Sequence, residues 1–302
     1  MTRTPYKTHG EQIDSRRLFL RIRSKYPNLT RTSKRIADYI LANYEETKYL
    51  SISSLAERID VSESMITKFV RLLGLKGYQD FKVRLALIHE GAASPSHIFG
   101  EVSLNSDVAT ICRTIYNNNV ETLRDSLTVL DFADVQQAAE LIAKARKVVF
   151  YGSGGSTIAL GDALARFHRI GLLCSGFSDA HTQLMSASLL CRQDVAVGIS
   201  NSGRSASIVE SLLIARKRGA ATICITNYEE TPLTAASDIR LFTSSRDVAK
   251  LSENLHSRVA ELSLIDSLYV AVASLMKTKA LENLRTTAEV IRHHRLKTRR
   301  ST

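Results

Sequence analysis

Residues 195–210 read Val-Ala-Val-Gly-Ile-Ser-Asn-Ser-Gly-Arg-Ser-Ala-Ser-Ile-Val-Glu, and this stretch decides the fold of the carboxyl-terminal two thirds of the chain. The apolar run from Val195 to Ile199 predicts a buried parallel strand. An amphipathic helix is predicted from Ser205 to Arg218. The serine-rich turn between them brings backbone N–H groups to a helix amino terminus, which favours a bound anion.

The same turn has a plainer interpretation. Ser205 can be only a helix N-cap, and Gly203 only a turn residue. Three serines around one glycine favour the anion site, because the hydroxyls of Ser200, Ser202 and Ser205 can donate hydrogen bonds to phosphate oxygens. A phosphate group is therefore the expected ligand.

Three segments resemble sugar isomerase (SIS) domains, which hold the phosphate of phosphorylated sugars. Residues 200–205 resemble the S-x-S-G-x-[ST] phosphate loop of that family. Residues 148–156, Val-Val-Phe-Tyr-Gly-Ser-Gly-Gly-Ser, resemble its first strand and glycine turn, and residues 221–227, Ala-Thr-Ile-Cys-Ile-Thr-Asn, resemble its next strand. The resemblance implies that a phosphosugar is bound by Ser153, Ser156, Ser200, Asn201, Ser202, Gly203 and Ser205.

Strands and helices alternate in this part of the chain. Strands are predicted near residues 147–151, 172–174, 195–199, 221–225 and 239–242, with helices between most of them. Connections of this length predict an α/β fold, a doubly wound parallel sheet of five strands. Its ligand is expected at the carboxyl ends of the strands, where Ser153 and Ser200 emerge.

Further helices flank the predicted sheet. Residues 106–126 and 132–145 precede it, and residues 255–276 and 281–297 follow it. The first pair is expected to pack on the sheet or on a second subunit, because Val120, Leu123 and Leu127 would otherwise be exposed.

A second motif lies between Ile52 and Gly74. Ser53 and Ser62 are each predicted to cap a helix, with a tight turn at Asp60 and Val61 between the two helices. Residues 56 and 66, ten apart with residue 61 between them, have the spacing of a helix-turn-helix. Its turn usually holds glycine, but aspartate tolerates the left-handed conformation better than most residues.

The second helix of this motif has two different faces. Met65, Ile66, Phe69 and Leu73 are predicted to point inward. The outward residues are short and polar or basic, as a helix in the major groove of DNA requires. The residues expected to contact DNA are Ser62, Glu63, Ser64, Thr67, Lys68 and Arg71. From spacing alone, two capped helices of an all-α domain that never touches DNA fit as well.

A wider segment, residues 29–82, resembles the amino-terminal domain of RpiR-type bacterial transcription regulators, in which this motif precedes a SIS domain. The matching segments are residues 34–41, 55–57, 61–64 and 73–82. The implied organisation is a helix-turn-helix domain at residues 1–90, a linker at 91–104, and a SIS domain with a basic final helix at 105–302. Residues 243–246 and 257–258 resemble segments that border the ligand in such regulators.

The positive charge lies at the two ends of the chain. Residues 1–95 hold 17 Lys and Arg against 10 Asp and Glu, and residues 285–302 hold 6 against 1. Residues 96–284 hold 18 against 19, although the whole chain carries +11. A near-neutral body with basic ends suits a ligand-binding domain joined to a nucleic-acid-binding head, while a solvated basic tail would give the same count.

The predicted SIS domain could either sense a phosphosugar or catalyse its conversion. Sugar isomerisation requires a base, and the candidates are His181, Glu253, His256 and Glu261. His181 is expected to cap a helix or contact a subunit, and the two glutamates to be solvated or paired. No convincing acid/base pair is present, so the prediction is a regulator that is not an enzyme. The alternative is a sugar-phosphate isomerase or lyase with an appended helical domain.

Cofactors and metals are not expected. Residues 152–156 lack the G-x-G-x-x-G pattern, which argues against a nicotinamide cofactor. The four cysteines have no Cys-x-x-Cys spacing, so neither a metal site nor a disulfide is predicted. No signal peptide or membrane span is evident, which predicts a cytoplasmic protein. The expected partners are a palindromic double-stranded DNA operator, a phosphorylated sugar and further copies of the chain, as a homodimer or homotetramer.

Overall fold

The computed structural model describes residues 15–86, 106–245 and 256–294. The chain divides into two compact units, residues 1–106 and 107–302. The predicted linker at residues 91–104 lies outside the described residues. In the described residues the first unit is entirely helical, and the second alternates strands and helices as predicted.

The helices of the first unit enclose one apolar core. They are α1 (Ser15–Lys25), α2 (Arg31–Ala42), α3 (Tyr44–Thr47), α4 (Ile52–Ile59), α5 (Glu63–Leu72) and α6 (Tyr78–Ala86). Ile36 of α2, Leu55 and Ala56 of α4, and Ile66 and Phe69 of α5 are all buried in this core. Helices α4 and α5 are therefore joined by a short turn and packed together, as the helix-turn-helix prediction requires.

The turn between α4 and α5 explains why aspartate stands where glycine is usual. Asp60 adopts the left-handed conformation, with φ 56° and ψ 60°. The N–H of Val61 donates to the carbonyl of Ala56 at 3.0 Å, which closes the end of α4.

Two details of this motif differ from the prediction. Ser51, not Ser53, caps α4, and its hydroxyl accepts from the N–H of Ser54 at 3.0 Å. The helix begins at Ile52, so Ser53 already lies within its first turn. Met65 was predicted inside but is 44% exposed, because α5 turns the adjacent Ile66 into the core instead.

The second unit contains a five-stranded sheet. Its strands are β1 (Lys147–Gly152), β2 (Cys174–Phe177), β3 (Asp194–Ile199), β4 (Ala221–Thr226) and β5 (Ile239–Phe242). All pairs are parallel, in the order β2-β1-β3-β4-β5. Strand β2 was predicted at residues 172–174 and starts later, because the N–H of Leu172 still donates to the carbonyl of Phe167 in the end of the preceding helix.

Helices cover both faces of this sheet, which confirms the doubly wound fold. They are α7 (Val108–Val129), α8 (Phe132–Lys144), α9 (Thr157–Arg169), α10 (Ala180–Ser188), α11 (Ala206–Lys217), α12 (Pro232–Ala235), α13 (Ser257–Met276) and α14 (Thr278–His294). Val148 and Phe150 of β1 pack toward α8, α9 and α13. Val149 and Tyr151 pack on the opposite face, toward α10, α11 and α12.

Helix α7 is polar on its buried face and apolar on its exposed face. Its buried residues are Asn118, Thr122 and Asp125. Tyr116 and Leu127 are 75% and 62% exposed, and Val120 and Leu123 are exposed between them. The apolar residues are therefore left exposed by the described part of this chain.

Helix α13 has the length and apolar character of a membrane span. An 18-residue window within Ser257–Met276 has a mean hydropathy of 1.6, and 33% of that window is buried. The same helix packs on α7, α8 and α9 and contributes Leu264, Ile265, Leu268 and Val272 to the core beside the sheet. Packing within this unit therefore accounts for the buried third of the window.

Candidate functional site

The loop from Ser200 to Ser205 connects β3 to α11 and is fixed to the neighbouring strand. The N–H of Ser200 donates to the carbonyl of Ile225 at 3.0 Å. The N–H of Asn227 and the hydroxyl of Thr226 both donate to the carbonyl of Asn201. The loop is therefore fixed to β4 and to the residue after it by hydrogen bonds to its main chain.

Gly203 gives the loop its bend. Its φ is +63°, and a Cβ atom at this position would lie 2.4 Å from Oγ1 of Thr231. Its carbonyl accepts from the N–H of Leu233 at 3.1 Å, so the residue is pressed against α12. Gly203 is thus a turn residue, as the alternative to a ligand-binding role predicted. It does not line the cavity described next.

A cavity of about 230 Å³ opens at the carboxyl ends of β1 and β3. Strands β2 and β3 lie on opposite sides of β1, so the strand order reverses direction at this point. Open α/β sheets bind their ligands at such a reversal. The residues that line it are Ser153, Gly155, Ser156, Ser200, Asn201, Ser202, Ser205, Ser257 and Arg258. Six of the seven residues predicted to hold a phosphosugar therefore meet around one cavity.

Three helices begin at this cavity without a side-chain cap. They are α9, α11 and α13, and the N-cap residues Ser156, Ser205 and His256 make no capping hydrogen bond. Ser205 pairs instead with Ser200, with their hydroxyl oxygens 3.0 Å apart. By contrast, side chains cap α2, α4, α7, α8, α10 and α12. The first N–H groups of α9 already donate within the turn at residues 153–156, and the three helix dipoles together favour an anion.

Arg258 adds a positive charge on the wall formed by α13. It lies in the first turn of that helix, which contains no acidic residue. A cation at the positive end of a helix dipole is unfavourable unless an anion is nearby. The structure thus brings Ser257 and Arg258, which the resemblance placed beside the ligand, to the wall of the cavity.

A buried carboxyl group lies beside the cavity. Glu261 is 1% exposed, and the hydroxyl of Ser156 donates to its Oε1 at 3.0 Å. Burial raises the pKa of Glu261 to about 7, against the opposing effects of the Ser156 hydrogen bond and the charge of Arg258. Of the two predicted environments, solvated or paired, the first is wrong because residue 261 faces inward on α13, where its partner is the Ser156 hydroxyl.

Neither of the two histidines considered as bases lines the cavity. His181 is exposed on α10, and Nδ1 of His256 lies 2.8 Å from Oδ1 of Asn119 on α7. Glu253 lies outside the described residues. Among the described residues, those that line the cavity include no carboxylate and no imidazole. No cluster of three or more potential metal ligands occurs in the described part of the chain.

A chain of hydrogen bonds joins the phosphate loop to α7. The hydroxyl of Ser245 donates to Oδ1 of Asn201 at 3.2 Å. The adjacent Ser244 is bonded through both its N–H and its carbonyl to the hydroxyl of Ser126 on α7, at 3.0 and 3.1 Å. The polar buried face of α7 is thereby connected to one wall of the cavity.

The predicted DNA-contacting residues share the outer face of α5. Ser62, Glu63, Ser64, Lys68 and Arg71 are exposed, and Thr67 is half-buried. The prediction that Ser62 caps α5 was wrong. It stands at the N-cap position, but its hydroxyl lies 2.8 Å from that of Ser64 and makes no capping bond. Neither Lys68 nor Arg71 forms an ion pair with any residue that the structure describes, so both charges are available to phosphates.

Comparisons with known proteins match both units. Residues 17–90 match the helix-turn-helix domain of the rpiR family, and residues 141–271 match the SIS domain. An uncharacterized HTH-type transcriptional regulator of Caldanaerobacter subterraneus subsp. tengcongensis is 36% identical, over 89% of this chain and 95% of its own length. The HTH-type transcriptional regulator RpiR of Escherichia coli K12 is 29% identical, over 89% of this chain and 90% of its own length.

A solved structure resembles nearly the whole chain. It is the Vibrio vulnificus NanR protein complexed with ManNAc-6P, which is 26% identical with a TM-score of 0.60. The match covers 93% of this chain and 100% of that chain. The resemblance extends over the helical and the α/β unit together.

Proposed function

The chain belongs to the RpiR family of helix-turn-helix transcriptional regulators with a SIS domain, and from this premise we propose that it binds operator DNA in response to a phosphorylated sugar. Helix α5 would enter the major groove of a double-stranded operator. The cavity of the SIS domain would hold the sugar phosphate. A regulator of this kind acts in the cytoplasm, where both partners are found.

The observation that carries this proposal is the convergence of three uncapped helix amino termini on one cavity. Together with Arg258 and the serine hydroxyls, they supply a dipole field, a cation and hydrogen-bond donors for a phosphate. A cavity of about 230 Å³ suits a single small metabolite. The similar NanR structure contains ManNAc-6P, which supports a sugar phosphate as the ligand class.

A sensor is favoured over an enzyme. The described lining of the cavity has no carboxylate or imidazole that could take a proton from a sugar carbon. Glu261 is the one observation in favour of an isomerase or lyase, since its carboxyl titrates near neutrality beside Ser156. A coupled assay of phosphosugar turnover distinguishes the two, and turnover without any effect on DNA binding would establish the enzyme.

Assembly would proceed through the apolar face of α7. Tyr116, Val120, Leu123 and Leu127 form an exposed stripe that a second copy would cover. A homodimer or homotetramer would then present two α5 helices to a palindromic operator, at half-sites separated by whole helical turns. The sugar phosphate changes DNA binding to the extent that it prefers one arrangement of subunits over another.

The direct test measures both ligands on the full chain. A thermal-shift screen with glucose 6-phosphate, fructose 6-phosphate, ribose 5-phosphate and ManNAc-6P is expected to give stabilisation by at least one compound. That compound should change the affinity for a duplex selected from a random DNA library. Absence of stabilisation by any of them, or of a selected duplex, would contradict the proposal.

The DNA face has its own test. Lys68→Ala and Arg71→Ala are each expected to reduce the slope of log affinity against log salt by about 1, because each removes a phosphate contact. Thermal stabilisation by the sugar phosphate should be unchanged. Lys217→Ala, which removes an exposed lysine of α11, is the matched control and should leave the slope as it is. Affinity without salt dependence would indicate that the helical unit binds protein.

A further inference from the structure

Glu261 is an exception within its own helix. The other residues that α13 buries along its length are apolar or small, among them Ala260, Leu264 and Ile265. The carboxyl of Glu261 receives one hydrogen bond, from Ser156, and its Oε2 is buried without a hydrogen-bond partner among the described residues. A buried carboxyl with half of its acceptors unused is destabilising, so packing does not explain its presence.

The hydrogen bond between these two residues restricts what Ser156 can do. A serine hydroxyl has a single proton, and in this structure that proton is directed at Oε1 of Glu261 at 3.0 Å. The lone pairs of the Ser156 oxygen remain for the cavity, which the residue lines. Ser156 therefore presents an acceptor to the ligand, whereas the phosphate oxygens of a ligand need donors.

We propose that Glu261 is a positioning residue that holds the Ser156 hydroxyl as a hydrogen-bond acceptor for a hydroxyl of the sugar, and that this pair distinguishes sugar phosphates from phosphate esters without hydroxyl groups. The proposal rests on the function proposed above and specifies how the cavity reads its ligand. In this arrangement the phosphate binds on the side of the cavity formed by residues 200–205 and Arg258. The sugar hydroxyl binds on the side formed by Ser156.

The charges around Glu261 set the conditions for the test. Ser156 faces it from the turn after β1, and Arg258 lies one turn earlier on its own helix, and both lower its pKa against the larger effect of burial. Because the pKa of Glu261 is raised to about 7, the carboxyl is mostly ionised at pH 8. In that form it can only accept the hydrogen bond from Ser156. Measurements at pH 8 therefore examine the form of the site that the proposal describes.

The variant Glu261→Leu separates a positioning role from a structural one. The quantity measured is the ratio of the affinity for the best sugar phosphate of the panel to that for methyl phosphate, which has no hydroxyl. Loss of one hydrogen bond to the sugar should lower this ratio by about tenfold. The melting temperature at pH 8 should stay the same or rise, because a group whose folded-state pKa is raised destabilises the fold once it is ionised.

Further variants keep the result interpretable. Glu261→Gln retains an uncharged acceptor and should give a ratio between those of the wild type and Glu261→Leu. Ser156→Ala should lower the ratio as much as Glu261→Leu does, and the double variant no further, because the two residues act as one unit. Ser211→Ala removes a buried hydroxyl of α11 that bonds only the carbonyl of Ser207, and should leave the ratio unchanged.

The outcomes separate this inference from the proposed function. If the wild type binds the sugar phosphate better than methyl phosphate but all Glu261 variants keep the same ratio, the positioning role is wrong and the sensor stands. A lower melting temperature for Glu261→Leu with an unchanged ratio for Glu261→Gln and Ser156→Ala likewise overturns it. If no phosphate compound binds the wild type, the proposed function itself fails.

Discussion

Helices α5 and α11 begin alike and lie in different surroundings. Each has a serine at the N-cap position, Ser62 or Ser205, and in each the hydroxyl pairs with another serine instead of capping the helix. The start of α5 lies on an exposed face with Lys68, whereas α11 begins at a cavity where two other helices also begin. Both candidate sites therefore lie at a helix that begins without a side-chain cap, a feature that α3 shares, and the surrounding shape is what differs between them.

The largest effect is expected from Gly203→Ala, which would disrupt the site at α11 and leave α5 intact. A Cβ atom would meet Thr231 at 2.4 Å with φ at +63°, so the α/β unit should lose at least about 2 kcal/mol of unfolding free energy. Chemical denaturation measures this loss. Gly161→Ala in α9 is the control, because nothing lies within 4 Å of its Cβ position, and it should be stabilising. Equal stability of the two variants would show that the bend does not need glycine.

A smaller effect is expected from Arg258→Met, which removes the only cation lining the cavity among the described residues. Affinity for the sugar phosphate should fall by about 30-fold, because a hydrogen bond between charged groups is lost, as isothermal titration calorimetry can measure. Affinity for DNA without the sugar phosphate should be unchanged. Arg169→Met removes an exposed arginine at the end of α9 as a control. Equal affinity losses in the two variants would mean that only net charge matters.

The smallest effect compares two serines of the helical unit. Ser51→Ala removes a capping bond and should lower the unfolding free energy by about 1 kcal/mol. Ser62→Ala removes no capping bond, so stability should be unchanged while affinity for the selected duplex falls by about threefold. Thermal melts and DNA titrations of both variants measure this. If Ser62→Ala is destabilised and its DNA affinity is normal, the predicted DNA contact of Ser62 is wrong and its role is structural.

Much of the fold could be predicted because its signals are local. The parallel strands, the bend at Gly203 and the turn at Asp60 each depend on a few adjacent residues, and the structure confirms them. The errors have local causes as well. Either Ser51 or Ser53 could start α4, and Met65 and Ile66 are both apolar, so periodicity alone did not decide which one enters the core.

The candidate site could be predicted only in part. The sequence shows that serines lie in a strand-to-helix turn. It does not show whether a given serine caps the helix or binds a ligand. Ser205 was open to both interpretations, and in the structure it occupies the N-cap position while its hydroxyl pairs with that of Ser200. Arg258 was expected beside the ligand from the resemblance, but the buried position of Glu261 depends on how α13 packs against the turn after β1.

The residues along the chain were enough to predict the order of the two units, the strand, loop and helix of the expected anion site, and the helix-turn-helix spacing. Only the tertiary structure decided that Ser153, Ser200 and Arg258 line one cavity, that Glu261 is buried beside it, and that α7 turns its apolar side outward. The difference lies in the sequence separation of the interacting residues. A turn or a helix is specified by residues that are neighbours in the sequence. The meeting of three helix amino termini depends on β1 pairing with β3, although residues 153–193 separate the two strands along the chain.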